Sequence, residues 1–155
     1  MSTFGFRQII HARGKELYRG MAWRVDTRPY YVLVSEIMLQ QTQVARVEVK
    51  FAEFIDRFPD IQSLAAAPLG DVLKLWSGLG YNRRAKFLWQ AARMVMNDFD
   101  GDIPSTKHDL VKLPGVGENT AGALLAYAFN QPVVFVETNI RTVYIHHFFA
   151  DRSDV

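Results

Sequence analysis

Apolar residues in this chain recur at helical spacing over nearly its whole length, and each break between the periodic stretches is short and carries proline or glycine. The pattern predicts helices from Thr3 to Tyr18, Pro29 to Leu39, Thr42 to Phe58, Leu69 to Ser77, Arg83 to Asp98, Thr106 to Val111, Glu118 to Phe129 and Thr138 to Phe149. Pro59, Gly78-Leu79-Gly80, Gly101-Asp102-Ile103-Pro104 and Asn130-Gln131-Pro132 separate them. Only Val133-Val134-Phe135-Val136 reads as a strand, and four residues suit a buried extended connector better. No repeat, low-complexity tract or linker interrupts the chain. At 155 residues and 49% hydrophobic it is long enough for one compact domain with a real core. The expected fold class is all-α, a bundle of short helices.

One of the breaks does more than turn the chain. Leu113-Pro114-Gly115-Val116-Gly117-Glu118-Asn119-Thr120-Ala121-Gly122 reads as a tight glycine hairpin opening directly into a helix. Two glycines one residue apart permit torsions closed to other residues, so successive N–H groups face outward while the helix behind adds its positive end. An anion such as phosphate fits there without any side chain. An ordinary helix–helix turn is the plainer explanation of a bare Gly-x-Gly, so its neighbours must decide.

Charge permits a polyanionic partner without demanding one: 18 Lys and Arg stand against 16 Asp and Glu, a formal +2. Distribution is more telling. Arg19, Arg24 and Arg28 lie close together, Arg83, Arg84 and Lys86 follow a glycine turn, and Lys107 and Lys112 flank the hairpin, while acids collect at Asp98, Asp100 and Asp102. One basic face is expected. The chain has no cysteine, which removes disulfides, thiolate zinc and a 4Fe–4S cluster from it. Four histidines, two of them adjacent at His146 and His147, are not at ligand spacing, so no transition metal is assigned. There is no membrane-length apolar run and no secretory leader pattern, so a cytoplasmic, nucleoid-associated location is the default.

Glu36 lies in Tyr31-Val32-Leu33-Val34-Ser35-Glu36-Ile37-Met38-Leu39, a helical run apolar on nearly every side. Burial disfavours a charged carboxylate and would make it a proton donor near neutral pH. A glutamate satisfied by an arginine or a helix end fits the segment as well. Gln40-Gln41-Thr42 follows, with Thr42 suited to cap the next helix. Two glutamines at a helix junction one turn beyond an acid can reach base edges or wedge into a stack, or simply make a polar turn. Tyr81, held on a glycine turn before Arg83 and Arg84, suits base stacking beside phosphate contacts, with core filling as the plain alternative. Glu137-Thr138-Asn139 precedes a helix one helix length after the hairpin, where a carboxylate also serves as a dipole partner. Hairpin, helix, connector and acid form an ordered series that is unusual in globular chains.

The series resembles the helix–hairpin–helix (HhH-GPD) DNA glycosylases, most closely the MutY-type adenine glycosylases, with endonuclease III as a broader relative. The resemblance runs from about Arg19 to about Phe149. It is carried by Ala22-Trp23-Arg24, Pro29-Tyr30, Ser35-Glu36-Ile37-Met38-Leu39-Gln40-Gln41-Thr42-Gln43-Val44, Leu75-Trp76-Ser77-Gly78-Leu79-Gly80-Tyr81, Leu113-Pro114-Gly115-Val116-Gly117 and Asn139. It implies a six-helix lobe over about 28–136, with the hairpin unit at 106–129, and a second lobe left incomplete. The implied activity is hydrolysis of the N-glycosidic bond of a flipped adenine mispaired with guanine or 8-oxoguanine in double-stranded DNA, by a monomer. Glu36 would protonate the adenine ring. Gln41 would wedge into the stack with Gln40, Thr42 and Tyr81 beside it, and Arg19, Trp23, Arg24 and Leu39 would line the base pocket. Gly115, Gly117, Asn119 and Thr120 would hold phosphate, and the carbonyls of Val111, Leu113 and Val116 would bind a monovalent cation, K⁺ or Na⁺. Flipping costs a few kcal/mol, which wedging and stacking offset. Leaving-group protonation with a carboxylate beside a cationic sugar is the logic of glycoside hydrolysis.

The chain departs from that family in several places. Glu137 occupies the position of the family's catalytic aspartate, and a displacement of about 1 Å can cost about 10²-fold in rate. Asn119 occupies the position of endonuclease III's lyase lysine, which implies a monofunctional glycosylase. Glu118 brings negative charge close to the expected phosphate. The family continues beyond Val155 with further helices, usually a cysteine-ligated 4Fe–4S cluster, and a domain that checks for 8-oxoguanine, so the chain reads as cut short, with Ile9, Ile10 and Leu17 short of cover. Two alternatives follow: a thymine or uracil mismatch glycosylase, and a DNA-binding fragment of this fold that has lost its chemistry.

Overall fold

A computed structural model describes residues 2–150, and all regular structure among them is helical. The order is α1 (Thr3–Glu16), α2 (Ala22–Val25), α3 (Pro29–Leu39), α4 (Val44–Arg57), α5 (Ile61–Ala66), α6 (Leu69–Trp76), α7 (Arg83–Asp98), α8 (Lys107–Leu110), α9 (Glu118–Tyr127) and α10 (Thr138–Phe148). The chain divides into two compact units. One is Met21–Phe135, and the other joins the stretch up to Gly20 to the stretch from Val136 onward.

In the larger unit α3 is the central element. Pro29 opens it at the position where a missing N–H costs nothing, and Tyr30, Val32, Leu33, Val34, Ser35, Ile37 and Met38 are buried around its whole circumference. A helix apolar on every side must be surrounded, and α3 packs against α2, α4, α7 and α9. Phe51, Phe54 and Phe58 of α4 and its end are buried, and Phe54 meets Trp76 of α6 edge to face at 6.1 Å. The Tyr30 hydroxyl donates to the Phe58 carbonyl across 2.8 Å, which satisfies both inside the core. On α9, Gly122 allows the connector to approach: a β-carbon there would lie 2.7 Å from Cβ and Cγ of Phe135.

The smaller unit centres on Phe6, the buried residue of α1, whose ring lies 5.2 Å from Tyr144 and 4.9 Å from Phe148 of α10. Ile9, Ile10 and Leu17 are exposed, Leu17 at 68%.

Several expectations need correction. Two short helices, α2 and α5, stand where the sequence reading placed none. α5 starts at a capping box in which Asp60 accepts from the Ser63 amide at 2.7 Å and the Ser63 hydroxyl faces the Asp60 backbone. The stretch 133–136 is not a buried connector: Val133 and Phe135 are half-buried, but Val134 is 93% exposed. Thr42 does not cap α4. Gln43 holds that position without a side-chain bond, and the Thr42 hydroxyl is engaged elsewhere.

Candidate functional site

Glu36 occupies the C-terminal half of α3, half-buried between the fully buried Ser35 and Ile37. Ser35 turns its hydroxyl back onto the Val32 carbonyl at 2.9 Å, so it is satisfied within the helix. The helix ends at the half-buried Leu39. Gln41 follows, exposed and in the left-handed region at φ +57°. Across a short gap the loop Gly78-Leu79-Gly80-Tyr81 repeats that feature. Gly78 and Gly80 have φ +93° and +74°, and Tyr81, 65% exposed, has φ +48°. Glycine accepts such torsions freely, whereas Gln and Tyr do so at a cost of about 1–3 kcal/mol.

Arg84 joins the two segments. It was expected on a basic face beside phosphate, but it is buried and turned inward from the first turn of α7. The reason is geometric: α3 ends with carbonyls that have no helical partner, and the glycine loop presents more of them. One terminal nitrogen, Nη1, donates to the carbonyls of Ile37 (3.0 Å), Met38 (2.8 Å) and Gln40 (2.5 Å). The other, Nη2, donates to the Thr42 hydroxyl (2.9 Å) and to the carbonyls of Leu79 and Gly80 (3.1 Å each). The guanidinium carbon lies 5.5 Å from the Trp76 ring and 5.6 Å from the Tyr81 ring. Nε is buried and has no acceptor among the described residues. Desolvation lowers the pKa of the group, an effect the Tyr81 side chain opposes.

Other cations are also engaged. Arg28 pairs with Asp26 at 2.7 Å, which lowers the Asp26 pKa through their hydrogen bond. Lys112 pairs with Asp109 at 2.7 Å, and Lys107 pairs with Glu118. Glu118 at the hairpin mouth therefore has a basic partner.

The hairpin differs from the two-glycine scheme. Gly115 has φ +82°, and a β-carbon there would lie 3.0 Å from Cβ of Phe87, so glycine is required twice over. Gly117 is the N-cap of α9 with φ −90°, a torsion open to any residue, and a β-carbon would meet nothing within 4 Å. Its value is the first-turn amides of α9 behind it, with Glu118 and Asn119 exposed and Thr120 buried. Gln40 ties this hairpin to α3: its carboxamide donates to the Gly115 carbonyl at 3.3 Å and reaches the Thr120 hydroxyl at 3.5 Å.

Of the remaining candidates, Trp23 is buried with its ring edge to face on Phe51 at 5.0 Å, and Arg24 is exposed beside it on α2. Val111 ends α8, and Leu113 and Val116 are buried in the turn, where the Leu113 carbonyl accepts the Val116 amide at 3.0 Å. Arg19, Glu137 and Asn139 belong to the smaller unit. All three are exposed, and Glu137 is the N-cap of α10 without a side-chain capping bond. The structure thus brings Glu36, Leu39, Gln40, Gln41, Thr42, Tyr81, Gly115 and Thr120 into one unit. Among the described residues no group of three His, Asp or Glu could hold a metal, and no helix is long and apolar enough to cross a membrane.

The larger unit is thus all-helical, with a glycine hairpin hydrogen-bonded to the end of the helix that carries Glu36. Residues 34–154 match the model of the HhH-GPD superfamily base excision DNA repair proteins, and the chain belongs to that superfamily. Within it, the chain is 40% identical over 152 residues to the adenine DNA glycosylase of Buchnera aphidicola subsp. Baizongia pistaciae, covering 96% of this chain and 42% of that protein. It is 42% identical over 134 residues to the adenine DNA glycosylase of Homo sapiens, covering 81% of this chain and 24% of that one. The chain therefore spans less than half the length of these relatives. Among solved structures, a thermostable thymine-DNA glycosylase superposes with a TM-score of 0.85 at 28% identity, covering 91% of this chain and 65% of that one. A non-covalent endonuclease III–DNA complex superposes at 0.79 with 22% identity, over 93% and 68%, and speaks for the fold.

Proposed function

We propose that this chain is the catalytic region of a monofunctional DNA N-glycosylase that removes adenine from mispairs with guanine or 8-oxoguanine. The observation that carries the reading is the bonding of three parts into one polar network. They are the helix of Glu36 with its Gln40-Gln41-Thr42 end, the loop of Tyr81, and the phosphate-type hairpin. A base-flipping enzyme needs those parts in fixed register, because the wedge, the backbone grip and the acid act on neighbouring nucleotides. Relatives named adenine DNA glycosylase at about 40% identity support the choice of base.

In this reading the first-turn amides of α9 grip a backbone phosphate. Gln41 and Tyr81 enter the stack while the adenine swings out toward Leu39, Trp23 and Arg24. Glu36 delivers a proton to the adenine ring, the bond from C1′ to N9 breaks with its electron pair leaving on the base, and water adds to C1′, giving up its proton to the Glu36 carboxylate. By resemblance of sequence alone, Glu137 and Asn139 stand at the chain positions of the family's sugar-facing groups. The longer Glu137 side chain makes this step slow, so Glu137→Asp is expected to raise the rate.

The carbonyls of Val111, Leu113 and Val116 offer a neutral oxygen set. The Leu113 carbonyl keeps a second lone pair beyond its bond to Val116, so the turn suits K⁺ or Na⁺. Such an ion would add positive charge beside the phosphate. Residues about 28–136 would act as the hairpin-bearing lobe, in a monomer working on chromosomal DNA in the cytoplasm.

A thymine or uracil mismatch glycosylase is the second reading, favoured by the superposition on a thymine-DNA glycosylase. Duplexes carrying A opposite 8-oxoguanine, A opposite G, T opposite G and U opposite G, offered together, separate the two by which free base appears. Adenine as the main product supports the first reading, and thymine or uracil overturns it. Salt-sensitive duplex binding with no base release from any of them would leave a DNA-binding module.

A further inference from the structure

Among the described residues the left-handed backbone region holds few residues other than glycine. Asp100 and Asn130 are of the type that tolerates it, whereas Gln41 and Tyr81 are not. Gln41 and Tyr81 are also exposed, so packing of their own side chains does not hold them there. The Arg84 side chain brackets both, with the Thr42 hydroxyl beside it on the Leu79 carbonyl at 3.4 Å. Arg84 bonds the residue before Gln41 through the Gln40 carbonyl and the residue after it through the Thr42 hydroxyl. It bonds the residues before Tyr81 through the Leu79 and Gly80 carbonyls, and its guanidinium carbon lies 5.6 Å from the Tyr81 ring.

We infer that Arg84 is a positioning residue: it holds Gln41 and Tyr81 together as a rigid two-sided wedge for the DNA stack and fixes its register to Glu36 through the Ile37 and Met38 carbonyls. This rests on the glycosylase reading above. A planar guanidinium suits the task because its two terminal nitrogens diverge in a fixed fork, one toward the end of α3 and one toward the glycine loop. Its charge compensates the converging carbonyl dipoles of a helix C-terminus. Lysine has a single ammonium and cannot span both sides. Gln40, bonded through its carbonyl to Arg84 and through its side chain to Gly115, passes the same register to the hairpin.

The test compares the full chain with its Arg84→Lys and Arg84→Met variants. Thermal unfolding and far-UV circular dichroism first establish the folded fraction. Single-turnover release of adenine from a duplex with A opposite 8-oxoguanine then gives an amplitude, which follows the folded fraction, and a rate constant, which follows positioning. Arg84→Lys is expected to keep most of the amplitude and the affinity for undamaged duplex, while its rate constant falls about tenfold to a hundredfold. A rate constant equal to wild type, with any loss confined to amplitude, overturns the proposal.

Hydrogen exchange of the free protein supplies a readout that needs no activity. Segments 40–42 and 79–81 are expected to exchange faster in Arg84→Lys while α4 and α5 do not change. Unchanged exchange in those segments, or uniform acceleration everywhere, overturns the proposal. A wild-type chain that releases no base overturns the glycosylase reading instead and leaves the exchange result to judge Arg84.

Discussion

The Gln40 carboxamide donates to the Gly115 carbonyl across 3.3 Å, joining the end of the helix that carries Glu36 to the turn of the hairpin. Gln41, the next residue, bears an exposed side chain on a left-handed backbone. The two glutamines should therefore separate in experiment. Gln40→Leu removes a part-buried donor and is expected to lower stability by about 1 kcal/mol in urea titration. Gln41→Gly relieves the backbone and is expected to raise stability by up to about 1 kcal/mol while slowing base release.

The hairpin glycines should separate as well. Gly115→Ala meets both a positive φ and the Phe87 side chain at 3.0 Å, and is expected to cost about 1–3 kcal/mol. Gly117→Ala meets neither and is expected to stay within about 1 kcal/mol of wild type. Denaturant titrations of the two variants check this. Equal losses would mean the turn needs both glycines for its conformation.

Gly122→Ala puts a β-carbon 2.7 Å from Cβ and Cγ of Phe135, atoms next to the backbone that cannot swing aside. A loss of about 1–3 kcal/mol is expected, read as a lowered midpoint of thermal unfolding.

Much of this was legible in the sequence, and the rest failed for particular reasons. α3 and α7 begin and end where periodicity and Pro29 or the Gly78–Gly80 turn place them. α2 has four residues, too few for a period to register, and α5 has six, announced only by an Asp60–Ser63 capping pair instead of the more familiar one ending in Glu or Gln. The cluster of Arg83, Arg84 and Lys86 after the glycine turn points to a basic face, but Arg84 is buried. Its signal lay in the stripe Arg84, Leu88, Ala91, Ala92, Val95, whose helical spacing turns residue 84 to the core side. No local pattern states that the carbonyls awaiting it come from Ile37 to Gln40, because those lie more than forty residues earlier. The expectation for Gly117 failed because a Gly-x-Gly pattern does not say which glycine carries the positive φ.

Tyr30 gives the fold an alkaline limit. Burial pushes its phenol pKa above the ordinary value, with Asp60 and Tyr31 adding to the shift. The folded state therefore favours the neutral hydroxyl. Its contribution is complete below pH 10 and is lost as pH rises toward the raised folded value, at up to about 1.4 kcal/mol per pH unit. Tyr30→Phe is expected to cost about 1–3 kcal/mol at pH 7 by leaving the Phe58 carbonyl without this donor, and to flatten the fall in stability above pH 10. Urea midpoints measured between pH 7 and pH 11 test both statements.

In the reaction proposed above, Glu36 of α3 supplies the proton that frees the base. Its most direct measurement is single-turnover release of free adenine from a duplex with A opposite 8-oxoguanine, by wild type and by Glu36→Gln. Wild type is expected to release adenine. Glu36→Gln is expected to bind the duplex as well but to release it about 10²- to 10⁴-fold more slowly. Release by Glu36→Gln at the wild-type rate would contradict the account.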